Sequence, residues 1–169
     1  MGGLETPAQE LGPAAMRSAM SRYATGVCIV TTVADDGTPA GLTITSFNSL
    51  SLEPPLILWS LGLNSSNLDV FRSSDRFAIN ILGVEMVEVA RQFARSGGDK
   101  FAGVPVVTGR CDVPLIAGAL VQLECLTEEQ YPVGDHILFI GRVVGAAIGD
   151  GAPLIFCNSA FDALDRGGS

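Results

Sequence analysis

Charge is scarce in this chain. Asp, Glu, Lys and Arg make up 17% of its 169 residues, against about a quarter in an ordinary globular protein. Basic residues are scarcer still: 10 face 18 acidic ones, the net charge is −8, and no two basic residues are adjacent. Nucleic-acid binding needs a basic patch to offset phosphate repulsion, so that function class is set aside. Long apolar runs are also missing. The longest nearly apolar stretch, residues 56–63, falls far short of the ~20 residues of a membrane-spanning helix. Nothing near the start joins positive charge to an apolar run, so no signal peptide and a cytoplasmic location are expected. The four cysteines (Cys28, Cys111, Cys125 and Cys157) form no C-x-x-C pair, and His136 is the single histidine. A thiol metal site therefore lacks a ligand set. Each cysteine stands among apolar neighbours, where it behaves as a small hydrophobe. Buried, unreactive thiols are expected, and nothing favours a Cys–His nucleophile pair. No G-x-G-x-x-G follows a predicted strand: Gly149 and Gly151 lead into Ala152, Pro153 and Leu154, which argues against a Rossmann-type dinucleotide site.

What is present is a hydrophobic share of 47% and a length suited to one domain. Residues 1–12 carry no period and are expected to be disordered, residues 13–164 to form the domain, and residues 165–169 to be a flexible tail. Met16, Met20 and Tyr23 recur at helical spacing, with Gly26 as a stop. Residues 27–33 read as a strand, Asp35-Asp36-Gly37 as a turn, and residues 41–47 as the start of a second strand, so a hairpin is expected. Pro54-Pro55 breaks the chain before a third strand at 56–61. A short helix follows at 65–73, capped by Ser65 or Ser66, then a strand at 76–82. Residues 84–95 read as an amphipathic helix with Glu85, Glu88, Arg91 and Arg95 on its solvated face. Strands are expected at 104–111, 119–126, 136–148 and 153–157. Many short strands with few helices indicate a small β-barrel or sandwich, since parallel βαβ winding demands more helices.

One segment stands out, Gly-Leu-Thr-Ile-Thr-Ser-Phe-Asn-Ser-Leu-Ser-Leu at 41–52. If it stays extended, Thr43, Thr45, Phe47, Ser49 and Ser51 share one face, a row of hydroxyls around one aromatic ring. Such hydroxyls both donate and accept, which suits a flat ligand edged with donors and acceptors. They suit an ordinary solvent-facing strand equally well.

Several motifs resemble the flavin reductase-like family of FMN-binding split barrels. They are Met16-Arg17-Ser18-Ala19-Met20, Tyr23-Ala24-Thr25-Gly26-Val27, and the run from Gly41-Leu42-Thr43 to Ser51-Leu52-Glu53-Pro54-Pro55-Leu56. Arg76-Phe77-Ala78-Ile79-Asn80-Ile81-Leu82, Gly134-Asp135-His136, Gly141-Arg142-Val143 and Pro153-Leu154 agree in order and spacing. The resemblance runs from Met16 to about Leu164. It implies a mainly β Greek-key split barrel, homodimeric, with flavin sites along the shared interface. It also implies NAD(P)H-dependent reduction of FMN or FAD, with the reduced flavin passing to a partner monooxygenase.

Residue by residue, the resemblance implies that Thr43, Ile44, Thr45 and Ser46 border the isoalloxazine ring and that Ser49 and Ser51 contact ribityl or phosphate. Ser65 and Asn67 fall where the family has a Ser-x-Thr pair, at a helix start suited to phosphate. Lys100 and Phe101 resemble its basic–aromatic pair. His136 would stand beside the nicotinamide, oriented by Asp135; read from its surroundings alone it is a surface or capping residue at a turn. The chain departs from the family in two places. Ile44-Thr45 replaces a common Ala-Asn, and Phe156, Cys157 and Phe161 stand where tyrosines are frequent, which keeps stacking but loses phenolic hydrogen bonds. Two other readings stay open: a tightly held flavin acting directly on a small substrate, and a non-catalytic flavin-binding dimer.

Overall fold

The computed structural model describes residues 12–163. The segments expected to be a loose start and a flexible tail lie, apart from Gly12, outside the described residues. Helix α1 (Pro13–Met20) and a short strand β1 (Thr25–Gly26) lead into β2 (Cys28–Val33) and β3 (Pro39–Ile44). The turn between β2 and β3 closes because the Ala34 amide donates to the Thr38 carbonyl at 2.9 Å, with Gly37 at φ +84°. Strands β4 (Asn48–Leu52) and β5 (Pro55–Gly62) form a second hairpin. Then come helix α2 (Leu68–Ser73), strand β6 (Arg76–Ile81), a 3-10 turn (Val84–Met86) and helix α3 (Val87–Ala94). A short ribbon, β7 (Val106–Thr108) with β8 (Pro114–Ile116), precedes the longest hairpin, β9 (Val121–Val133) with β10 (His136–Ile148). Strands β11 (Leu154–Cys157) and β12 (Ala160–Ala163) close the order.

The main sheet has seven antiparallel strands in the order β3-β2-β6-β9-β10-β5-β4. The hairpin β4–β5 thus lies at the opposite edge from the hairpin β2–β3 that precedes it, a crossing of the Greek-key kind. The sheet wraps one apolar cluster, to which β2, β3, β5, β6, β9, β10 and α2 all contribute. Four rings fill it. Trp59 stacks on its cross-strand partner Phe139 at 4.4 Å and meets Phe71 and Phe77 edge-on at 5.1 and 5.6 Å. Gly141 lets Phe77 in, because a Cβ there would lie 2.4 Å from its ring. A second cluster joins Val27, Ile29, Leu82 and Leu154 to Met86, Ala90 and Phe93 on the helical side. Strand β2 is therefore apolar on both faces: Cys28 and Val30 point into the barrel, and Ile29 toward α3.

Several sequence expectations need correction. Residues 41–52 are two strands, not one extended run. Strand β3 stops at Ile44, and the Ser46 hydroxyl both donates to the Ser60 carbonyl and accepts from the Ser60 amide, each at 3.0 Å. That tie redirects the chain so that β4 runs beside β5, and a bulge between Ser49 and Ser51 further breaks the alternation. The row of hydroxyls on a single face does not form. Helix α2 begins at Leu68, with Asn67 as its N-cap residue. Ser65 instead accepts the Asn67 amide at 3.3 Å, within the preceding turn. The strand expected at 104–111 shrinks to β7, and β1, β4, β8 and β12 appear where no separate strand was expected.

Candidate functional site

Three segments that are far apart in sequence meet beside the open edge of the sheet. One cavity of about 440 Å³ lies between residues 38–41 at β3, Ser66 and Asn67, and residues 97–101. A second, of about 460 Å³, shares Ser66, Asn67, Gly97 and Lys100 and continues along Leu42, Thr43, residues 64–67 and residues 93–97. The two form one groove of the size that small-molecule sites take, ~300–1,000 Å³.

The groove's walls are fixed by identifiable ties. Strand β3 packs on α3 so closely that a Cβ at Gly41 would lie 2.9 Å from the Phe93 ring. The Thr43 hydroxyl donates to the Ala90 carbonyl at 2.6 Å. Phe101 meets Phe93 edge-on at 4.9 Å. Lys100 reaches across to the Gly41 carbonyl at 3.3 Å, and burial holds its ammonium below the ordinary value of 10.5. The Gln92 side-chain Nε2 donates to both the Lys100 and Ala102 carbonyls, at 2.8 and 2.9 Å. Arg95 and Lys100 line the groove against one carboxylate, Asp99, which accepts the Phe101 amide. In a chain of net charge −8, this local excess of cations favours an anionic ligand.

The groove brings together Thr43, Ser65, Asn67, Lys100 and Phe101. It leaves out others. Ile44 is buried in the barrel interior, so its side chain does not border a ligand. Ser46 is engaged with Ser60; Thr43 does line the groove, but its hydroxyl proton is committed to Ala90. Thr45 is exposed at the turn between the strands. Ser49 and Ser51 lie on β4, at the other edge of the sheet, and line neither cavity. Phe161 lies on β12, edge-on to Phe156 at 5.4 Å, with the Arg91 guanidinium 5.9 Å above its ring.

His136 opens β10, opposite Gly62. Its Nδ1 is 2.6 Å from the Asp135 carboxylate, and that contact holds Asp135 below the usual carboxylate range. The Leu63 amide donates to the Asp135 carbonyl at 2.9 Å. The pair therefore stands beside the segment that continues as the groove wall at 64–67.

Asn64, Ser66 and Arg95 also line the groove, and Gln92 braces its loop, without a sequence signal for either role. Helical period put Arg95 on a solvated face, yet α3 ends at Ala94 and Arg95 takes extended backbone angles that turn it to the groove. Arg91 keeps the solvated role, paired with Glu88 at 2.5 Å. Among the described residues all four cysteines are unpaired, and burial pushes Cys28 and Cys125 up to about 12, which leaves them inert. Cys111 and Cys157 are half-buried. No helix among the described residues is long and apolar enough to cross a membrane.

A flavin reductase like domain family model matches residues 20–165. The actinorhodin polyketide dimerase of Streptomyces coelicolor is 37% identical over 150 residues, 88% of this chain and 85% of that protein. The reductase component of a Rhodococcus opacus 4-nitrophenol 4-monooxygenase/4-nitrocatechol 2-monooxygenase is 38% identical over 153 residues, covering 90% and 82%. Among solved structures, the Streptomyces globisporus C-1027 NADH:FAD oxidoreductase SgcE6, in complex with NAD and FAD fragments, superposes with a TM-score of 0.89 at 31% identity, covering 96% of this chain and all of that one. The mainly β, split-barrel architecture expected from sequence is the one found. With the family model spanning nearly the whole described chain, this protein belongs to the flavin reductase like family.

Proposed function

We propose that the protein is an NAD(P)H-dependent flavin reductase. It moves a hydride from C4 of a reduced nicotinamide to N5 of FMN or FAD and supplies the reduced flavin to a partner monooxygenase. The observation that carries this reading is the groove: Lys100, Arg95, Ser65, Ser66 and Asn67 offer cationic and hydrogen-bonding groups for phosphate, and Phe101 offers an aromatic edge beside them. Hydride transfer makes few demands on protein acids; the chain's residues bind, orient and exclude water. The similarity to an oxidoreductase held with NAD and FAD fragments, and to a monooxygenase reductase component, supports the same reading. The test is oxidation of NADH and NADPH, followed with FMN, FAD or riboflavin added. Flavin-dependent oxidation is expected, and its absence with all three flavins overturns the reading.

His136 belongs to the nicotinamide side of this reading, as a positioning group. His136→Ala is expected to raise the nicotinamide KM about two- to tenfold, the worth of one hydrogen bond. The flavin KM should not move. An unchanged nicotinamide KM removes His136 from the site.

The protein works, on this reading, as a homodimer in the cytoplasm, where nicotinamide is available and free thiols stay reduced. Strands β5 and β10 turn Ile57, Trp59, Ile137 and Phe139 into the barrel, which leaves Leu56, Leu58, Leu138 and Ile140 on the outside, in no buried cluster among the described residues. Ile140 and Leu58 are direct cross-strand partners there. A contiguous apolar face of this kind marks an interface. Sedimentation is expected to give twice the chain mass of 17.6 kDa, and Ile140→Lys is expected to return it to a single chain mass with secondary structure intact. A wild-type monomer contradicts the assembly.

The similarity to a polyketide dimerase favours a second reading, a tightly held flavin acting directly on a small substrate. Flavin co-purifying at one per chain would select it.

A further inference from the structure

We infer that Gln92 is a positioning residue for the groove, latching the loop tip that presents Lys100 and Phe101. The inference rests on the reading that this groove binds a flavin phosphate. The tip, residues 99–102, lies between Gly97 and Gly98 (φ +74° and +73°) and Gly103 (φ +72°), conformations that leave the chain on either side easily turned. Its own backbone bonds are local: the Ala102 amide to the Asp99 carbonyl and the Val104 amide to the Phe101 carbonyl. What holds it to the body of the protein comes from side chains.

Gln92 gives the two shortest of these ties, at 2.8 and 2.9 Å. Because the carbonyls it binds belong to Lys100 and Ala102, one amide group fixes the Lys100–Phe101 and Ala102–Gly103 peptide planes, before and after the Phe101-Ala102 pair. That sets the direction in which the Lys100 side chain leaves the backbone. Gln92 stands on α3, which Ala90 and Phe93 bury in the second core cluster and which the Thr43 hydroxyl ties to β3. Among the described residues the Lys100 ammonium has only the long 3.3 Å contact to Gly41. An arriving phosphate draws the ammonium away from Gly41, and Gln92 then keeps the tip in register.

Gln92→Met keeps the length of the side chain and removes the donor without adding charge. Two measurements test it. Trypsin cleavage after Lys100 reads the latch without any flavin, and cleavage in Gln92→Met is expected to be roughly tenfold faster because the open tip is more populated. FMN titration by fluorescence quenching is expected to show about tenfold weaker binding, with the melting temperature held within about 2 °C. In a Lys100→Met background, Gln92→Met should change FMN binding by less than about twofold, since the two residues act through one contact. Unchanged cleavage overturns the latch whatever the flavin result. Faster cleavage with wild-type FMN affinity, or losses that simply multiply with those of Lys100→Met, overturns the positioning role. If FMN fails to bind the wild-type protein, or Lys100→Met binds it as tightly, the phosphate reading of the groove falls, and the inference with it.

Discussion

Replacing Lys100 by Met is expected to weaken FMN and FAD binding roughly ten- to a hundredfold, the worth of a hydrogen bond to a charged group, with little change in melting temperature. The argument starts from place. Lys100 is shared by both halves of the groove and is one of two cations there against a single carboxylate. Its side chain is half-buried, so the charge is screened less than an exposed lysine's, and its present partner, a neutral carbonyl at 3.3 Å, is a weak one. Methionine fills a similar volume, and no ion pair to Lys100 is lost among the described residues. Riboflavin separates this contact from ring contacts, because it carries no phosphate: its affinity should be the same for both proteins. Equal weakening for riboflavin would move Lys100 from the phosphate to the ring.

The same residue sets a pH dependence with two opposite signs. Burial holds the folded-state pKa of Lys100 below its ordinary value. In the window between that lowered value and the ordinary one, the unfolded chain binds more protons than the folded chain. Stability of the free protein therefore rises with pH across that window. Phosphate binding does the reverse, since it needs the ammonium and fades as pH climbs through the lowered pKa. FMN affinity measured from neutral to alkaline pH should fall in the wild-type protein and stay flat in Lys100→Met. Parallel falls in both would place the titration on another group.

How much of this was legible in the sequence depends on how local each cause is. Strand β10 was read with its bounds, His136–Ile148, because an apolar run bounded by Gly134-Asp135 needs no distant partner to be extended. The break between β3 and β4 was not. Its cause is the Ser46 hydroxyl bonding to Ser60, fourteen residues on, and nothing in Thr-Ser-Phe-Asn reports that. The helix start at Leu68 was displaced for a related reason: Ser65 has the chemistry of a cap but serves the turn before it. For the site, the residue types were visible and their assembly was not. Lys100 and Phe101 stood out through a family resemblance, and the groove then brought them beside Ser65 and Asn67. Arg95 is exposed, as its helical period implies, but that period does not report that α3 ends one residue earlier and leaves Arg95 beside the groove. Gln92 gives no signal at all, since a polar residue on the outward side of a half-buried helix is the commonest thing a helix shows.

Removing the Trp59 ring is expected to cost about 3–5 kcal/mol, the usual loss for a buried aromatic truncated to Ala. For a chain of this size each kcal/mol moves the melting temperature by roughly 2–4 °C, so Trp59→Ala should melt well over 5 °C below the wild type. Trp59 is fully buried and touches the three other rings of the barrel, stacked on Phe139 and edge-on to Phe71 and Phe77. Phe71 belongs to α2, so the same cavity would loosen the helix behind the groove wall at 64–67, and flavin affinity should fall along with stability. Trp59→Phe makes the sharper comparison. The indole Nε1 is buried without a hydrogen-bond partner among the described residues, and an unpaired buried donor costs about 1–3 kcal/mol. Phenylalanine removes that N–H and keeps the stack on Phe139, so relief of the unpaired donor offsets much of the lost ring. Trp59→Phe is therefore expected to melt close to the wild type, with urea midpoints following the same order. If Phe destabilises as much as Ala, the indole N–H has a partner such as a buried water, and the core owes part of its stability to a polar contact rather than to ring packing.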